Sequence, residues 1–162
     1  MCWQCDHPEA TYEDFLAHIR RLIDVHGWAV HGVERTDVHP PWAYTVGLSQ
    51  AGRPELVMTG MPLTRATALL NALAEHVMHA HPPKPGRRVT LRGGLPIEIV
   101  EVTDPAAHLL VAVSLYGPSI GALQVVHADN RGRWPWEHGY RGNGRGGQPV
   151  LGVRARPPAS AA

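Results

Sequence analysis

The sequence predicts a single α+β domain, with a mostly antiparallel sheet and two or three helices packed on it. Two observations support this prediction. Segments of helical periodicity are interspersed with short β-rich segments, and most connections between the β-rich segments suit antiparallel neighbours. The 162 residues, 44% hydrophobic and 18% charged, are enough for one core. We place the domain at residues 1–152 and expect the tail 153–162 to be disordered.

Three segments have the pattern of helices. The first covers 11–26, begins beside the capping residue Thr11 and ends at Gly27. The second covers 62–79, where apolar residues recur on one face. The third covers 104–116 and starts with an Asp-Pro pair that favours a helix, although its centre is rich in β-forming residues. We predict a helix there as well.

Six β-rich segments predict strands, each bounded by proline or glycine turns that break regular structure. The first three follow one another through short connections and predict an antiparallel meander. The next two predict a hairpin across Gly93-Gly94. The predicted strands are 28–34, 42–48, 55–59, 88–92, 96–102 and 122–127.

The N-terminal pattern Cys2-x-x-Cys5-x-His7 is the sharpest candidate for a metal site. Two thiolates at this spacing can bind one tetrahedral Zn²⁺, and a nearby histidine can supply a third ligand. A fourth ligand would come from elsewhere in a chain that holds 11 histidines. A redox-active thiol pair and two ordinary thiols at a packed N-terminus are the alternatives. The pattern therefore gives zinc as the candidate cofactor.

The turn His39-Pro40-Pro41-Trp42 is a first candidate ligand site. Two prolines stiffen it, and His39 there could be a ligand or a general base. Tyr44 and Glu55 follow on adjacent predicted strands and approach one another if the strand register allows it. A turn beside a core tryptophan explains the same residues without a ligand.

The segment after the last predicted strand is a second candidate. Asp129, Arg133 and Trp136 would lie at the mouth of a pocket, with Glu137 beside them. An arginine can bind a carboxylate or phosphate in bidentate fashion, and an indole can stack on a flat ligand. An ordinary Asp/Asn/Gly turn closed by a structural tryptophan is the alternative.

Three stretches together are similar to a known family. They are Met-Cys-Trp-Gln-Cys-Asp-His at 1–7, Trp-Ala-Tyr-Thr-Val-Gly-Leu at 42–48 followed by Arg-Pro-Glu-Leu at 53–56, and His-Ala-Asp-Asn-Arg-Gly-Arg-Trp-Pro-Trp at 127–136. Their combination resembles the bacterial domain-of-unknown-function family 4262, in its actinobacterial form, over roughly residues 1–152. The resemblance implies a bacterial cytoplasmic setting, and it implies no activity, substrate or cofactor.

Charge and hydropathy limit the classes of function. The net charge of +1 argues against binding nucleic acid or anionic membrane by bulk charge. The stretch 131–156 is locally basic, with six arginines and the single acid Glu137. No apolar run is long enough for a transmembrane helix, and the N-terminus lacks the pattern of a signal peptide. We therefore expect a cytoplasmic protein with no membrane partner.

Two classes of function remain open. The first is a non-enzymatic binding or accessory protein, with a structural zinc knuckle and a Trp/Arg-rich surface for a small molecule or a protein. The second is a metal-dependent, hydrolase-like enzyme in which Arg133 orients a small anionic substrate. RNA contact by the basic C-terminal stretch is a third idea. We prefer the first because no catalytic constellation is recognisable.

Overall fold

A six-stranded mixed sheet organises the chain in the computed structural model, which describes residues 3–142 and 147–156. The strand order is β1-β2-β3-β6-β5-β4, and every neighbouring pair is antiparallel except β3 and β6. The α+β prediction and the mostly antiparallel sheet are confirmed. The strands are β1 (Ala29–Val33), β2 (Trp42–Val46), β3 (Glu55–Thr59), β4 (Arg88–Thr90), β5 (Pro96–Glu101) and β6 (Ala122–His127).

The helices confirm the first two predictions and correct the third. They are α1 (Trp3–Asp6), α2 (Tyr12–His26), α3 (Leu63–His79), α4 (Pro105–His108) and α5 (Leu110–Tyr116), with a 3-10 turn at Leu48–Ala51. The single helix predicted at 104–116 was wrong, because the chain breaks between α4 and α5. Leu109 has φ −110° and ψ 56°, outside the helical region, and its side chain is fully buried in the core.

Local sequence explains the boundaries of α2. The Thr11 hydroxyl accepts a hydrogen bond from the Asp14 N–H at 3.2 Å, and the Asp14 carboxylate accepts one from the Thr11 N–H at 2.9 Å. These two bonds form a capping box that satisfies N–H groups of the first turn. Gly27 ends the helix with φ 87°, a left-handed conformation that glycine adopts without steric cost.

The sheet has a buried core on each face. Helix α3 covers one face and packs on β1, β2 and β3. On the other face, α2 packs on β1 and α5 packs on β2. Within the described ranges, we find no helix that is long and apolar enough to cross a membrane.

Residues 147–156, here called the C-terminal segment, lie against the sheet without forming a strand. The Gln148 side chain accepts a bond from the His127 N–H at 2.9 Å and donates one to the His127 carbonyl at 2.8 Å. Leu151 donates its N–H to Gln124 Oε1 at 2.7 Å. Arg154 lies in the tail that was predicted to be disordered, and its guanidinium donates to Glu98. The rest of that predicted tail, 157–162, lies outside the described residues.

Candidate functional site

A small pocket of about 230 Å³ opens where β2 begins and β3 ends. Four separate parts of the chain build it: the turn before β2, the end of β3, α4 and the C-terminal segment. Its walls are mostly apolar, and His39, Thr59 and His108 are the lining residues with polar side chains. The lining residues are His39, Pro40, Trp42, Thr59, His108, Pro149 and Leu151.

The proline-rich turn fixes one wall of this pocket. The His39 ring meets the Trp42 indole edge-on, with the centroids 4.8 Å apart. His39 Nδ1 lies 3.1 Å from the Pro40 carbonyl. A carbonyl only accepts, so this contact selects the tautomer with a proton on Nδ1 and leaves Nε2 as an acceptor. The Trp42 Nε1–H donates to the His108 carbonyl at 3.4 Å, which joins the turn to α4.

The opposite wall is held by a buried amide and a buried hydroxyl. Gln124 donates to the Thr59 hydroxyl at 2.9 Å and to the Pro149 carbonyl at 2.7 Å. The Thr59 hydroxyl in turn donates to the Pro149 carbonyl at 2.8 Å. These bonds use the single donor of the Thr59 hydroxyl and one of its two acceptor sites, so a ligand would form hydrogen bonds with the remaining Thr59 lone pair, with His39 or with His108. Among the described residues, the His108 side chain makes no hydrogen bond of its own.

The structure places Tyr44 and Glu55 on the same face of neighbouring strands, because Tyr44 lies opposite Val57 in the register of β2 and β3. They bind different partners. The Tyr44 hydroxyl accepts the Val111 N–H at 3.1 Å, and burial raises the pKa of Tyr44. Neither side chain lines the pocket. Both are buried parts of the core, Tyr44 1% and Glu55 0% exposed.

Glu55 organises the turn after β2. Its carboxylate accepts the Thr45 hydroxyl at 2.7 Å and the N–H groups of Gly47 and Ser49, each at 3.0 Å. Burial raises the pKa of Glu55 despite these bonds. The Thr45 hydroxyl also accepts the Leu56 N–H at 2.8 Å, so the network joins both ends of the β2–β3 connection.

Asp129 and Arg133 organise the loop after β6. The Asp129 carboxylate accepts the backbone N–H groups of Arg131 at 2.9 Å, Arg133 at 3.0 Å and Arg141 at 3.2 Å. The Arg133 N–H is the largest of the influences that hold the pKa of Asp129 low. The Arg133 guanidinium donates to the His138 carbonyl at 3.0 Å. Both side chains are therefore engaged within their own loop.

Trp136 belongs to a layered group of five side chains, here called the Trp–Arg cluster. The indoles of Trp134 and Trp136 stack at 5.5 Å, with 3° between their planes. Guanidinium groups lie over both rings, Arg88 over Trp134 at 4.6 Å and Arg154 over Trp136 at 3.6 Å. Both arginines also bind Glu98, at 2.6 Å from Arg88 Nε and 2.7 Å from Arg154 Nε.

The N-terminal candidate for zinc is described only in part. Cys5 is exposed on α1, and His7 Nδ1 lies 2.9 Å from the Trp3 carbonyl. Trp3 stacks with His7 and with His18, at 4.5 and 4.9 Å between centroids, and so docks α1 on α2. Cys2 lies outside the described residues. Among the residues that are described, no three His, Cys, Asp or Glu side chains are grouped to hold a metal.

Sequence reasoning missed much of what completes these sites. His39 was predicted from its rigid turn and lines the pocket, but Thr59, His108, Pro149 and Leu151 were not singled out. They come together only through tertiary contacts between distant segments. In the Trp–Arg cluster, Trp136 was singled out from the sequence, whereas Glu98 on β5 was not.

Comparisons with known proteins identify a family and no relative of known function. No curated protein matches the chain, and no solved structure does. One family model matches residues 22–141, described as a domain of unknown function (DUF4262). That match spans β1 to β6, all of α3 and the loop organised by Asp129, together with the 3-10 turn. The chain therefore belongs to the DUF4262 family.

Proposed function

We propose that this domain is a binding module whose ligand is a small, mostly apolar molecule held in the pocket between His39 and His108. One observation carries the proposal: four separate segments converge on a pocket with apolar walls and two imidazoles. Ligand sites in proteins typically combine such walls with few polar groups. The cytoplasmic, bacterial setting predicted from the sequence is part of this proposal.

The size and chemistry of the pocket narrow the ligand. A volume of about 230 Å³ lies below the roughly 300–1,000 Å³ of sites for drug-sized molecules, so the ligand is of fragment or metabolite size. The indole of Trp42 and the rings of Pro40 and Pro149 present flat apolar surfaces. The tautomer that His39 adopts offers an acceptor nitrogen. A monocyclic or bicyclic aromatic compound with a hydrogen-bond donor fits this description.

Saturation-transfer NMR with phenol, indole, benzimidazole and benzoate tests the proposal. We expect binding of the donors phenol, indole or benzimidazole, and weaker binding of benzoate. The variant His108→Ala should weaken binding, whereas His81→Ala, on an exposed residue outside the pocket, should not. The proposal would be contradicted if none of the compounds bound, or if the two variants weakened binding equally.

A structural zinc site at the N-terminus is a second, separate proposal. Its support is the spacing of Cys2, Cys5 and His7, together with the docking of α1 through Trp3. The Trp3 carbonyl engages His7 Nδ1, which leaves Nε2 for a metal. Elemental mass spectrometry of untagged protein should find one zinc per chain, lost in a Cys2→Ser, Cys5→Ser variant. Metal-free native protein would remove this proposal and leave the pocket unaffected.

A further inference from the structure

The small net charge of the chain conceals a marked separation of charge. Residues 1–83 carry five Lys/Arg against nine Asp/Glu, a net −4, whereas residues 84–162 carry ten against five, a net +5. These values sum to the +1 of the whole chain. The argument from bulk charge against a nucleic-acid partner depended on that total, whereas the idea of RNA contact depended on the basic C-terminal stretch. Where charges lie on the surface matters more for binding than their sum.

The fold gathers the basic half at one edge of the sheet. Strand β4 is the edge strand, and its Arg88 reaches Glu98 on β5 and the Trp134 ring. Arg154 joins the same Glu98 from the C-terminal segment. Gly86, just before β4, lies close to Ala155. Contacts between distant segments thus bring the chain around β4 and the segments after β6 together.

Most basic side chains at this edge are exposed, whereas two of its four acids are buried. Eight exposed cations lie in the described parts of 84–101 and 127–156: Lys84, Arg87, Arg88, Arg92, Arg131, Arg133, Arg141 and Arg156. In the same ranges Glu98 is 2% and Asp129 6% exposed, and both are engaged in hydrogen bonds. Glu101 and Glu137 are the exposed acids. Eight exposed cations against two exposed acids give this edge an excess of positive charge at the surface.

We propose that this basic edge binds single-stranded nucleic acid, an activity separate from the pocket. Seven of the eight exposed cations are arginines, which bind phosphate in bidentate fashion and also stack on bases. Glu98 and Trp134 hold the plane of the Arg88 guanidinium, while 52% of that side chain stays exposed. Single strands are recognised by stacking of bases on aromatic rings or on such guanidinium planes. An acidic peptide would pair with the positive charges but has no bases to stack on the guanidinium planes, so nucleic acid fits this edge better.

Fluorescence anisotropy with labelled oligouridylate and oligothymidylate of about 16 nucleotides tests the proposal. We expect binding to both at about 50 mM salt and at least about tenfold weaker binding at about 200 mM salt. Arg87→Gln with Arg92→Gln should weaken binding about tenfold and lower the salt slope by about 1.4, because single strands contribute about 0.7 per phosphate contact. Tighter binding of oligouridylate would assign RNA, through its 2′-hydroxyl groups, and tighter binding of oligothymidylate would assign DNA.

The control variant removes the same number of positive charges from the acidic half of the chain, residues 1–83. Arg20→Gln with Arg21→Gln lies on α2, and it should change the affinity less than twofold. Inorganic polyphosphate and poly-glutamate should compete more weakly than oligouridylate, because neither can stack. Equal loss in the control variant, equal competition by polyphosphate or poly-glutamate, or binding unaffected by salt would each overturn the proposal.

Discussion

Glu55 and Glu98 are buried carboxylates in opposite electrostatic settings. Glu55 is 0% and Glu98 2% exposed, so solvent exposure does not distinguish them. Glu55 is bound by one hydroxyl and two backbone N–H groups, all neutral, and burial raises its pKa. Burial also raises the pKa of Glu98 and is the largest single influence. Arg154 and Arg88 together outweigh it, so its pKa lies below the ordinary value.

The contrast shows that charged partners can outweigh the effect of burial on the pKa of an acid, whereas neutral partners at Glu55 do not. It also separates two kinds of region. The turn around Glu55 is a local network that shapes the β2–β3 connection. The region around Glu98 joins the edge of the sheet to the C-terminal segment, and that segment forms a wall of the pocket. Three substitutions test this contrast.

The largest effect is expected for Glu98→Gln. The substitution leaves two guanidinium groups without a counter-ion and should lower the free energy of unfolding by about 2–3 kcal/mol. The expected loss of stability is smaller than for breaking a fully buried ion pair, because Arg88 and Arg154 are partly exposed and can turn toward water. Urea unfolding measures the change. Glu101→Gln, at an exposed site on the same strand, should stay within about 0.5 kcal/mol, and an equally small effect at Glu98 would contradict the account.

Gln124 is uncharged and also binds the C-terminal segment, and its loss should lower the free energy of unfolding by less than the loss of Glu98. Gln124→Leu removes the acceptor of the Leu151 N–H and one donor to Pro149, at a cost of about 1–2 kcal/mol. Hydrogen exchange of the Leu151 amide should become faster. Gln50→Leu is the matched control, since the Gln50 side chain is exposed and accepts a long hydrogen bond of 3.4 Å from the Tyr116 hydroxyl. Unchanged exchange at Leu151 in the Gln124 variant would show that this bond does not hold the segment.

The smallest effect is expected for Glu55→Gln. It should lower the free energy of unfolding by about 1 kcal/mol at neutral pH, because the hydrogen-bond partners of Glu55 are neutral. The dependence on pH gives the sharper test. A carboxyl whose folded pKa is raised loses stability as the pH rises above its unfolded value of 4.5. The advantage of the wild type over Glu55→Gln should therefore shrink as the pH rises from 4.5 through the folded pKa. An advantage that grows with pH would mean that Glu55 is a stabilised anion.

Glu98 should show the opposite dependence on pH. Its folded pKa is lowered, so its contribution is complete above the unfolded value of 4.5 and is lost as the pH falls through the folded pKa. The difference between the wild type and Glu98→Gln should shrink only in that acidic range. Thermal unfolding of both variants over one pH series records the two opposite trends together.

The sequence was informative where structure is local. The capping residue Thr11 and the terminal Gly27 predicted α2, and the bounds of β3 and β6 were predicted correctly. The break at Leu109 could not be predicted, because burial of that side chain in a distant core outweighs local helix preference. His108 and Leu151 gave no local signal for a shared pocket, since they lie 43 positions apart in the sequence. The sequence around Asp129 is equally typical of a turn and of a ligand site, so both interpretations stayed open.

The central claim is that the pocket beside Trp42 is a ligand site, and the indole N–H signals of the five tryptophans test it most directly. In a ¹⁵N NMR titration with indole or phenol, the Trp42 signal, assigned with Trp42→Phe, should shift in a saturable manner. The Trp28 signal should stay fixed, because its N–H binds Asn71 outside the pocket. A titration that leaves Trp42 unmoved, or that moves both signals equally, would contradict the account.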